Sequence, residues 1–410
     1  MAKLSSSNGI EKRPKLRFPG FDEPWKETTL SALFSKSTQK NADGHITNVI
    51  CNSAKLGLIP QREYFDKDIA NSDNTSGYYI IRQNDFVYNP RKSSDAPYGP
   101  ISSYKYAEDG IVSPLYLCFH AKDEINPLYY EWYFRSSAWH RYIYMSGDSG
   151  ARHDRVSIKD DTFFAMPINL PSEQEQSKIA SFLQSLDERI AAQEKLVASL
   201  KKYKRGSLSA LFPKKGEITP QYRFAGFTKP WEQRKLGDVF TERTERANGD
   251  EELLSVTIGN GVIRQVDSDK RNIASEDKSN YKIVHKGDVP YNSMRMWQGA
   301  VGNSEYDGIV SPAYTVLVPS KEANGKFFME LFKKESTLKI FQRWSQGLTS
   351  DTWNLKYPVL STIEISIPRI EEQKRISDYF ATLDSLITLH QHKYDTLLSL
   401  KNAILQQMFI

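Results

Sequence analysis

The chain has 410 residues, of which 39% are hydrophobic and 26% are charged, the composition of a globular protein. This length is enough for two or three domains, and no apolar run approaches the roughly 18 residues of a membrane span. The 55 basic and 50 acidic residues give a formal net charge of +5. Such a mildly basic balance permits nucleic-acid binding without requiring it.

The first residues of the chain and its cysteines indicate where the protein resides. Residues 1–13 are polar and lack the apolar stretch of a secretory signal, which predicts a flexible tail on a cytoplasmic protein. Cys51 and Cys118 are the two cysteines, too few for a disulfide framework. Cys118 lies in an apolar run, where we expect a buried thiol.

The second half of the sequence repeats the first in the same order. An Arg-Phe-x-Gly-Phe-x-x-Pro-Trp opening, a Gly-Ile-Val-Ser-Pro segment and a Pro-x-x-x-Glu-Gln-x-x-Ile segment each occur twice. A collinear series of this kind indicates duplication of one structural unit. The matching segments are residues 14–25 and 220–231, 110–114 and 308–312, and 171–190 and 368–387.

Each half begins with β-type runs and continues into helical segments, which predicts an α+β fold. The runs are rich in aromatic and branched residues and are bounded by Gly, Asn, Asp and Pro. One aromatic helix is predicted at residues 128–144 and another at 326–344, with aromatic side chains at the four-residue spacing of core packing. The predicted strands lie at residues 78–81, 86–88 and 111–119, and at residues 281–284, 288–291 and 309–318.

Each half ends in a heptad pattern. Apolar residues recur at alternating steps of four and three, the period of about 3.5 residues that is typical of a coiled coil. Polar residues interrupt both patterns at matching positions, Gln193 with His390 and Lys204 with Lys401, a device that fixes helix register. The predicted seam consists of Ile179, Leu183, Leu186, Ile190, Val197 and Leu200, and of Ile376, Phe380, Leu383, Ile387, Tyr394, Leu397 and Ile404.

The first heptad helix has clear start and stop signals. The Ser172 side chain can accept from the amide of Glu175, whose carboxylate can bond back, and Pro213 ends the helix. About 37 residues at 1.5 Å each make a rod of roughly 55 Å. Because the second globular part lies between the two helices in sequence, we predict an antiparallel pair. The pair would hold two domains at a fixed distance, related by an approximate two-fold; the seams could instead bind another chain.

These repeated motifs, together with a Leu-Phe-Pro helix end, closely resemble the specificity subunits of Type I restriction-modification systems. The resemblance covers nearly the whole chain after residue 13. It implies two tandem α/β target-recognition domains and two long helices that form an antiparallel coiled coil, in a pseudo-two-fold internal repeat. The implied organisation is a tail at 1–13, recognition domains at 14–170 and 214–367, and helical regions at 171–213 and 368–410.

The resemblance also implies partners. Each recognition domain would read one half of a bipartite site in double-stranded DNA. The helical regions would act as spacer and would dock two modification subunits, and restriction subunits would join through the complex. No cofactor is expected in this chain: S-adenosylmethionine, ATP and Mg²⁺ would be used by the partner subunits.

The sequence contains only partial matches to catalytic motifs. Residues 113–116 and 311–314 match three of four positions of an amino-methyltransferase turn but lack its second proline. Asp267 and residues 276–278 have the acid, acid, lysine order of a nuclease metal site, yet they lie in a polar stretch without a counterpart in the first half. With no phosphate-loop motif and scattered histidines, we predict no catalytic residue and no metal site.

Loops that differ between the two halves are the best candidates for reading DNA, because only they could read different half-sites. Arginine pairs with guanine, and Asn or Gln with adenine, while other contacts hold phosphates. We expect base readers among Arg91, Arg152, Arg155, Arg295 and Gln298. All candidates for DNA binding, from loops 90–99, 146–155, 293–299 and 345–351, are Arg91, Lys92, Arg152, His153, Arg155, Arg295, Trp297, Gln298, Gln346 and Ser350.

Three hypotheses follow. The first is a DNA-specificity subunit without catalysis of its own. The second is a stand-alone DNA methyltransferase or nuclease with two DNA-binding domains, which transfer of a labelled methyl group by the purified chain would favour. The third is a scaffold whose coiled coil joins two protein-binding domains, which sequence-specific DNA binding would exclude.

Overall fold

A computed structural model describes residues 13–64, 75–147, 154–214, 216–247, 251–268 and 277–410. The chain folds into two compact units. Unit 1 comprises Met1–Gln193 and Lys393–Ile410, and unit 2 comprises Glu194–His392. Among the described residues, no helix combines the length and the apolar character that crossing a bilayer requires.

Unit 1 has ten strands, paired antiparallel, and five short helices within its described residues. The strands are β1 (Lys26–Thr29), β2 (Phe34–Ser37), β3 (Ile50–Ser53), β4 (Gly57–Pro60), β5 (Tyr79–Ile81), β6 (Phe86–Tyr88), β7 (Ile101–Ser103), β8 (Gly110–Val112), β9 (Leu117–Ala121) and β10 (Pro167–Leu170). The helices are α1 (Leu30–Leu33), α2 (Gln61–Tyr64), α3 (Pro127–Arg135), α4 (His140–Ser146) and α5 (Asp160–Phe164).

A four-stranded sheet in the order β2-β9-β6-β7 forms the centre of unit 1, and the pairs β1-β10, β3-β4 and β5-β8 surround it. Its inner face carries aromatic side chains. Phe34 packs edge-to-face on Phe86, Phe119 and Tyr130, with ring centroids 5.3–5.5 Å apart. The Cys118 thiol is fully buried, as predicted, and burial raises its pKa to about 12.

Unit 2 repeats this order of elements. Its strands are β11 (Glu232–Lys235), β12 (Phe240–Glu242), β13 (Leu254–Thr257), β14 (Gly261–Arg264), β15 (Lys282–Val284), β16 (Val289–Asn292), β17 (Gly308–Val310), β18 (Tyr314–Pro319) and β19 (Glu364–Ile367). Its sheet has the order β12-β18-β16, beside the pairs β11-β19, β13-β14 and β15-β17. In place of β7, Val301 makes a single bridge to Tyr291.

Two of the predicted helices are each divided in two. The segment predicted at residues 128–144 forms α3 and α4, which are interrupted at Ser136. The segment predicted at 326–344 forms α8 (Gly325–Lys333) and α9 (Glu335–Trp344), separated by the extended residue Lys334. The four-residue aromatic spacing does not extend past either break, since Ala138 and Ser336 occupy the next positions. The short helices α7 (Leu236–Val239) and α10 (Tyr357–Leu360) complete unit 2.

The two long helices are α6 (Glu173–Leu211) and α11 (Ile370–Met408), each 39 residues long. In unit 1 the beginning of α6 packs against the end of α11, so the predicted antiparallel pairing holds there. The seam residues Ile179, Leu183, Leu186, Ile190 and Ile404 are buried in one core, with Tyr394 and Leu397 packed against it.

The same antiparallel arrangement occurs in unit 2, where the end of α6 packs against the beginning of α11. The seam residues Ile376, Phe380 and Leu383 lie in the core together with Leu211. Val197 is buried, whereas Leu200 and Ile387 are half-buried.

The opening motif of each repeat closes the end of a long helix. The Leu16 amide donates to the Gln407 carbonyl at 3.0 Å, and the Tyr222 amide donates to the Ala210 carbonyl at 3.0 Å. These carbonyls belong to the last turn of a helix, where no intrahelical donor remains. The duplicated motif therefore supplies the missing donors.

Candidate nucleic-acid interface

Both candidate loops that follow the central sheets begin with an asparagine that shapes a turn. The Asn89 Oδ1 accepts from the Arg91 amide at 3.1 Å, and the Asn292 Oδ1 accepts from the Met294 amide at 3.0 Å. A side chain that binds the amide two residues later forms an Asx-turn. The loops thus leave β6 and β16 in the same way and diverge only afterwards.

In unit 1 the structure brings the two candidate loops together. Arg91 and Arg155 form an antiparallel bridge. The Lys92 amide donates to the Asp154 carbonyl at 2.8 Å, and the Val156 amide donates to the Pro90 carbonyl at 2.9 Å. Loops that are more than 60 residues apart in sequence therefore form one continuous edge with basic side chains.

The basic side chains of this edge have no acidic partner among the described residues. Arg91 is exposed, while Lys92 and Arg155 are half-buried. The buried Nε of Arg155 lacks a hydrogen-bond acceptor within the described part of the chain. Cations without neutralising neighbours suit contact with phosphates or base edges. The other two candidates of this loop, Arg152 and His153, lie outside the described residues.

In unit 2 the corresponding loops also lie side by side. The Leu355 amide donates to the Ser293 carbonyl at 2.8 Å. The Trp297 ring packs edge-to-face on Trp353, with centroids 5.3 Å apart. A short 3-10 helix, Met296–Gln298, contains the candidates Trp297 and Gln298.

The candidate side chains of unit 2 differ in exposure. Arg295, Trp297 and Gln298 are half-buried, whereas Gln346 and Ser350 are exposed. The backbone of Gln346 pairs with that of Asn354 through bonds of 2.9 and 2.8 Å, which close the second loop. Asn354 and Trp353, which brace this loop, were not among the predicted residues, because their role depends on a contact across the loop.

A glycine fixes the path of the first loop in each unit. Gly99 and Gly299 have φ values of +84° and +87°, which favour glycine. A Cβ at Gly99 would lie 2.1 Å from the Asn89 carbonyl oxygen, whereas a Cβ at Gly299 would meet no atom closer than 3.7 Å. The backbone at Gly99 is therefore more tightly constrained than the backbone at Gly299.

The repeated Gly-Ile-Val-Ser-Pro segment has a structural explanation. Its first three residues form the buried strands β8 and β17, and its serine begins a turn into the next strand. A Cβ at Gly308 would lie 2.4 Å from the Glu252 carbonyl oxygen, and one at Gly110 would lie 2.7 Å from Ile50. Close packing thus requires this glycine. The residues that partly match a methyltransferase motif are the turn of a sheet.

The Tyr116 side chain lies at this turn, near the basic edge of unit 1. Burial raises the pKa of Tyr116, and the positive charge of Arg91 opposes that shift. The Arg91 side chain is therefore close enough to influence a group on the neighbouring turn. Among the described residues, no cluster of His, Cys, Asp and Glu could hold a metal ion. One member of the nuclease-like series, Glu276, lies outside them.

One family model of known proteins matches both halves of the chain. The family model "Type I restriction modification DNA specificity domain" matches residues 28–202 and again residues 228–399. The specificity subunit of the Type I restriction enzyme HindI from Haemophilus influenzae is 22% identical over 187 residues. That match covers 44% of this chain and 41% of the relative, so it spans less than half the length of either.

Solved structures share the fold over nearly the whole chain. The S subunit of a Type I restriction-modification system from M. genitalium has a TM-score of 0.54 at 15% identity, covering 97% of this chain and 99% of that one. The HsdS subunit from Thermoanaerobacter tengcongensis has a TM-score of 0.50 at 16% identity, covering 98% and 99%. At such identities the likeness concerns the fold alone.

Proposed function

The chain belongs to the family of Type I restriction-modification DNA specificity domains, and we propose that it is the DNA-specificity subunit of such a complex. The observation that carries the proposal is the duplicated domain match together with the paired loops of each unit. Each unit has its own polar surface, made of basic side chains in unit 1 and of basic, amide and hydroxyl side chains in unit 2. Two such surfaces would read the two halves of a bipartite site in double-stranded DNA.

The difference between the loops supports two distinct half-sites. Unit 1 offers Arg91, Lys92 and Arg155, a set of cations. Unit 2 offers Gln298 on a short helix and Arg295 directly before that helix, and the amide of Gln298 could recognise adenine. Because the sheets that hold these loops share one architecture, sequence differences in the loops would set the difference in recognition.

The long helices would act as spacer and docking site. In unit 2, an apolar groove of about 700 Å³ at the end of α6 is lined by Tyr203, Tyr222, Phe224 and Tyr379, among others. Leu400, Leu16, Phe18 and Phe182 occupy the repeat-equivalent positions of unit 1. Leu16, Phe182 and Leu400 are about 40–48% exposed, and Tyr203 and Tyr222 about 60%. An exposed apolar surface of this kind marks an interaction site.

Because this apolar surface occurs twice, it would fit two copies of one partner. We assign these partners as modification subunits, through which restriction subunits would join the complex. The partners would carry the chemistry: methylation of adenine with S-adenosylmethionine, and translocation and cleavage driven by ATP and Mg²⁺. This chain would contribute recognition and no catalytic residue.

A reconstitution experiment tests the proposal. The purified chain, its modification partner, and both together are incubated with duplex DNA and labelled S-adenosylmethionine. We expect methyl transfer to specific sites only when both proteins are present. Transfer by this chain alone would identify it as a methyltransferase, and sequence-independent transfer by the mixture would exclude a role in specificity.

A further inference from the structure

One side chain in the candidate interface of unit 2 is unusually exposed for its type. Leu348, in the loop between α9 and α10, has a relative accessibility of 101%, the highest among the exposed large hydrophobic residues of the described chain. Moving a leucine side chain out of water lowers the free energy, so full exposure at an ordered position is unfavourable unless a partner covers it.

The loop that carries Leu348 is closed and braced. The Gln346 and Asn354 backbones pair at its base. The Thr349 amide donates to the Thr352 Oγ1 at 3.1 Å, and the Thr352 amide donates to the Thr349 carbonyl at 2.9 Å. Leu348 therefore projects from a backbone that is already fixed, which lowers the entropy lost on binding.

Gly347 makes this shape possible. Its φ is +150°, and a Cβ would lie 2.6 Å from the Thr352 carbonyl oxygen. The residue before Leu348 must therefore be glycine for the loop to fold back on itself. The neighbours Thr349 and Ser350 are exposed and carry hydroxyl groups, which are suited to phosphate or base-edge contacts.

The loop is connected directly to the candidate readers. The Leu355 amide donates to the Ser293 carbonyl, and Trp353 packs on Trp297. The loop that carries Leu348 is thus in direct contact with the loop that carries Arg295. Apolar side chains that project from a DNA-binding surface can insert between base pairs, unstack them and kink the duplex.

We propose that Leu348 is a wedge that inserts between two base pairs of the DNA half-site bound by unit 2. The inference rests on the proposed DNA-binding function. The ligand it assigns to the loop tip is a base step of duplex DNA. Insertion would transfer the leucine from water to the space between stacked bases, while Thr349 and Ser350 would contact the adjoining backbone.

The test uses the full chain and duplexes that contain its recognition site with 2-aminopurine, whose fluorescence rises on unstacking, at successive positions. We expect an increase at one step of one half-site with the unaltered protein. Leu348→Ala should abolish the increase and weaken specific binding about tenfold. Leu348→Met should retain both, because methionine also serves as an apolar wedge. Val266→Ala, which shortens another exposed aliphatic side chain of unit 2, is the matched control and should behave like the unaltered protein.

Two results would overturn the inference in different ways. Specific binding without a fluorescence change, or with a change that persists in Leu348→Ala, would exclude a wedge and leave the proposed function intact. Absence of sequence-specific binding by the unaltered chain, alone and with its modification partner, would overturn the proposed function and the wedge together.

Discussion

Lys204 on α6 places its Nζ 2.8 Å from both carboxylate oxygens of Asp384 on α11. The same Nζ lies 3.0 Å from Glu330 of α8, so one lysine joins both long helices to the globular part of unit 2. In unit 1 the repeat-equivalent Lys401 contacts Asp187 and lies over the Trp132 ring. The two lysines that interrupt the heptad pattern therefore form ion pairs at matching positions.

Replacing Lys204 should destabilise unit 2. Burial raises the pKa of Glu330, and Lys204 counteracts this shift. Lys204→Met would leave a buried carboxylate without its cation, at an expected cost of about 3 kcal/mol in the free energy of unfolding. Chemical denaturation measures this change in the free energy of unfolding. Adding Glu330→Gln should recover part of the loss, and an equal loss in both variants would contradict this account.

Two arginine–glutamate pairs have the same geometry in the two units, so substitution of either arginine should lower stability by a similar amount. Arg17 binds Glu175 through bonds of 2.7 and 2.8 Å, and Arg223 binds Glu372 through bonds of 2.9 and 2.5 Å. Arg223→Lys should cost about 2 kcal/mol, because lysine cannot form the two-bond fork. Arg17→Lys is the matched substitution in unit 1. Thermal unfolding in which neither variant loses stability would show that the forks contribute little.

Two glycine substitutions should differ in effect. Gly99→Ala would place a methyl group against the Asn89 carbonyl and should cost more than about 2 kcal/mol. Gly299→Ala would bring the methyl group into ordinary contact with Leu338, 3.7 Å away, and should cost only the backbone strain, about 1 kcal/mol. Urea denaturation of both variants compares them directly. Equal losses would indicate that the carbonyl of Asn89 can move aside.

The stability of unit 1 should depend on pH through His140. Burial lowers the pKa of this imidazole below its ordinary value, and the ring packs against Tyr98 and Trp139. The unfolded chain therefore binds the proton more readily, so stability falls as pH drops below about 6.5 towards the folded pKa. His140→Gln should flatten this part of the profile of melting temperature against pH. An unchanged profile would contradict the assignment.

Local sequence patterns were sufficient for the repeat, the heptad helices and the strands predicted at residues 78–81, 86–88, 281–284 and 288–291. The runs predicted as single strands at 111–119 and 309–318 are each divided into two strands, because a turn that begins at the serine of the Gly-Ile-Val-Ser-Pro segment interrupts them. Ser172 caps the first helix as predicted, since its Oγ accepts from the Glu175 amide at 3.3 Å. The predicted return bond from the Glu175 side chain is wrong. That carboxylate binds Arg17 instead, a partner 158 residues away that no local motif could indicate.

The candidate site was predictable only in part. The shared Tyr-Asn at the start of each loop marked where the repeats diverge, and it led to Arg91 and Arg295. The contacts between loops, such as the bridge of Arg91 with Arg155 and the packing of Trp297 on Trp353, depend on tertiary structure. The assignment of individual residues to bases or phosphates stays a prediction.

The most direct test of a two-part recognition function is single-molecule sequencing of methylated adenines in cells that contain this chain and its modification partner. We predict one bipartite motif with a fixed gap. Arg295→Ala should relax one half of the motif and Arg91→Ala the other, each by about 1–3 kcal/mol of base discrimination. A motif without a gap, or variants that weaken methylation equally at every sequence, would contradict the account.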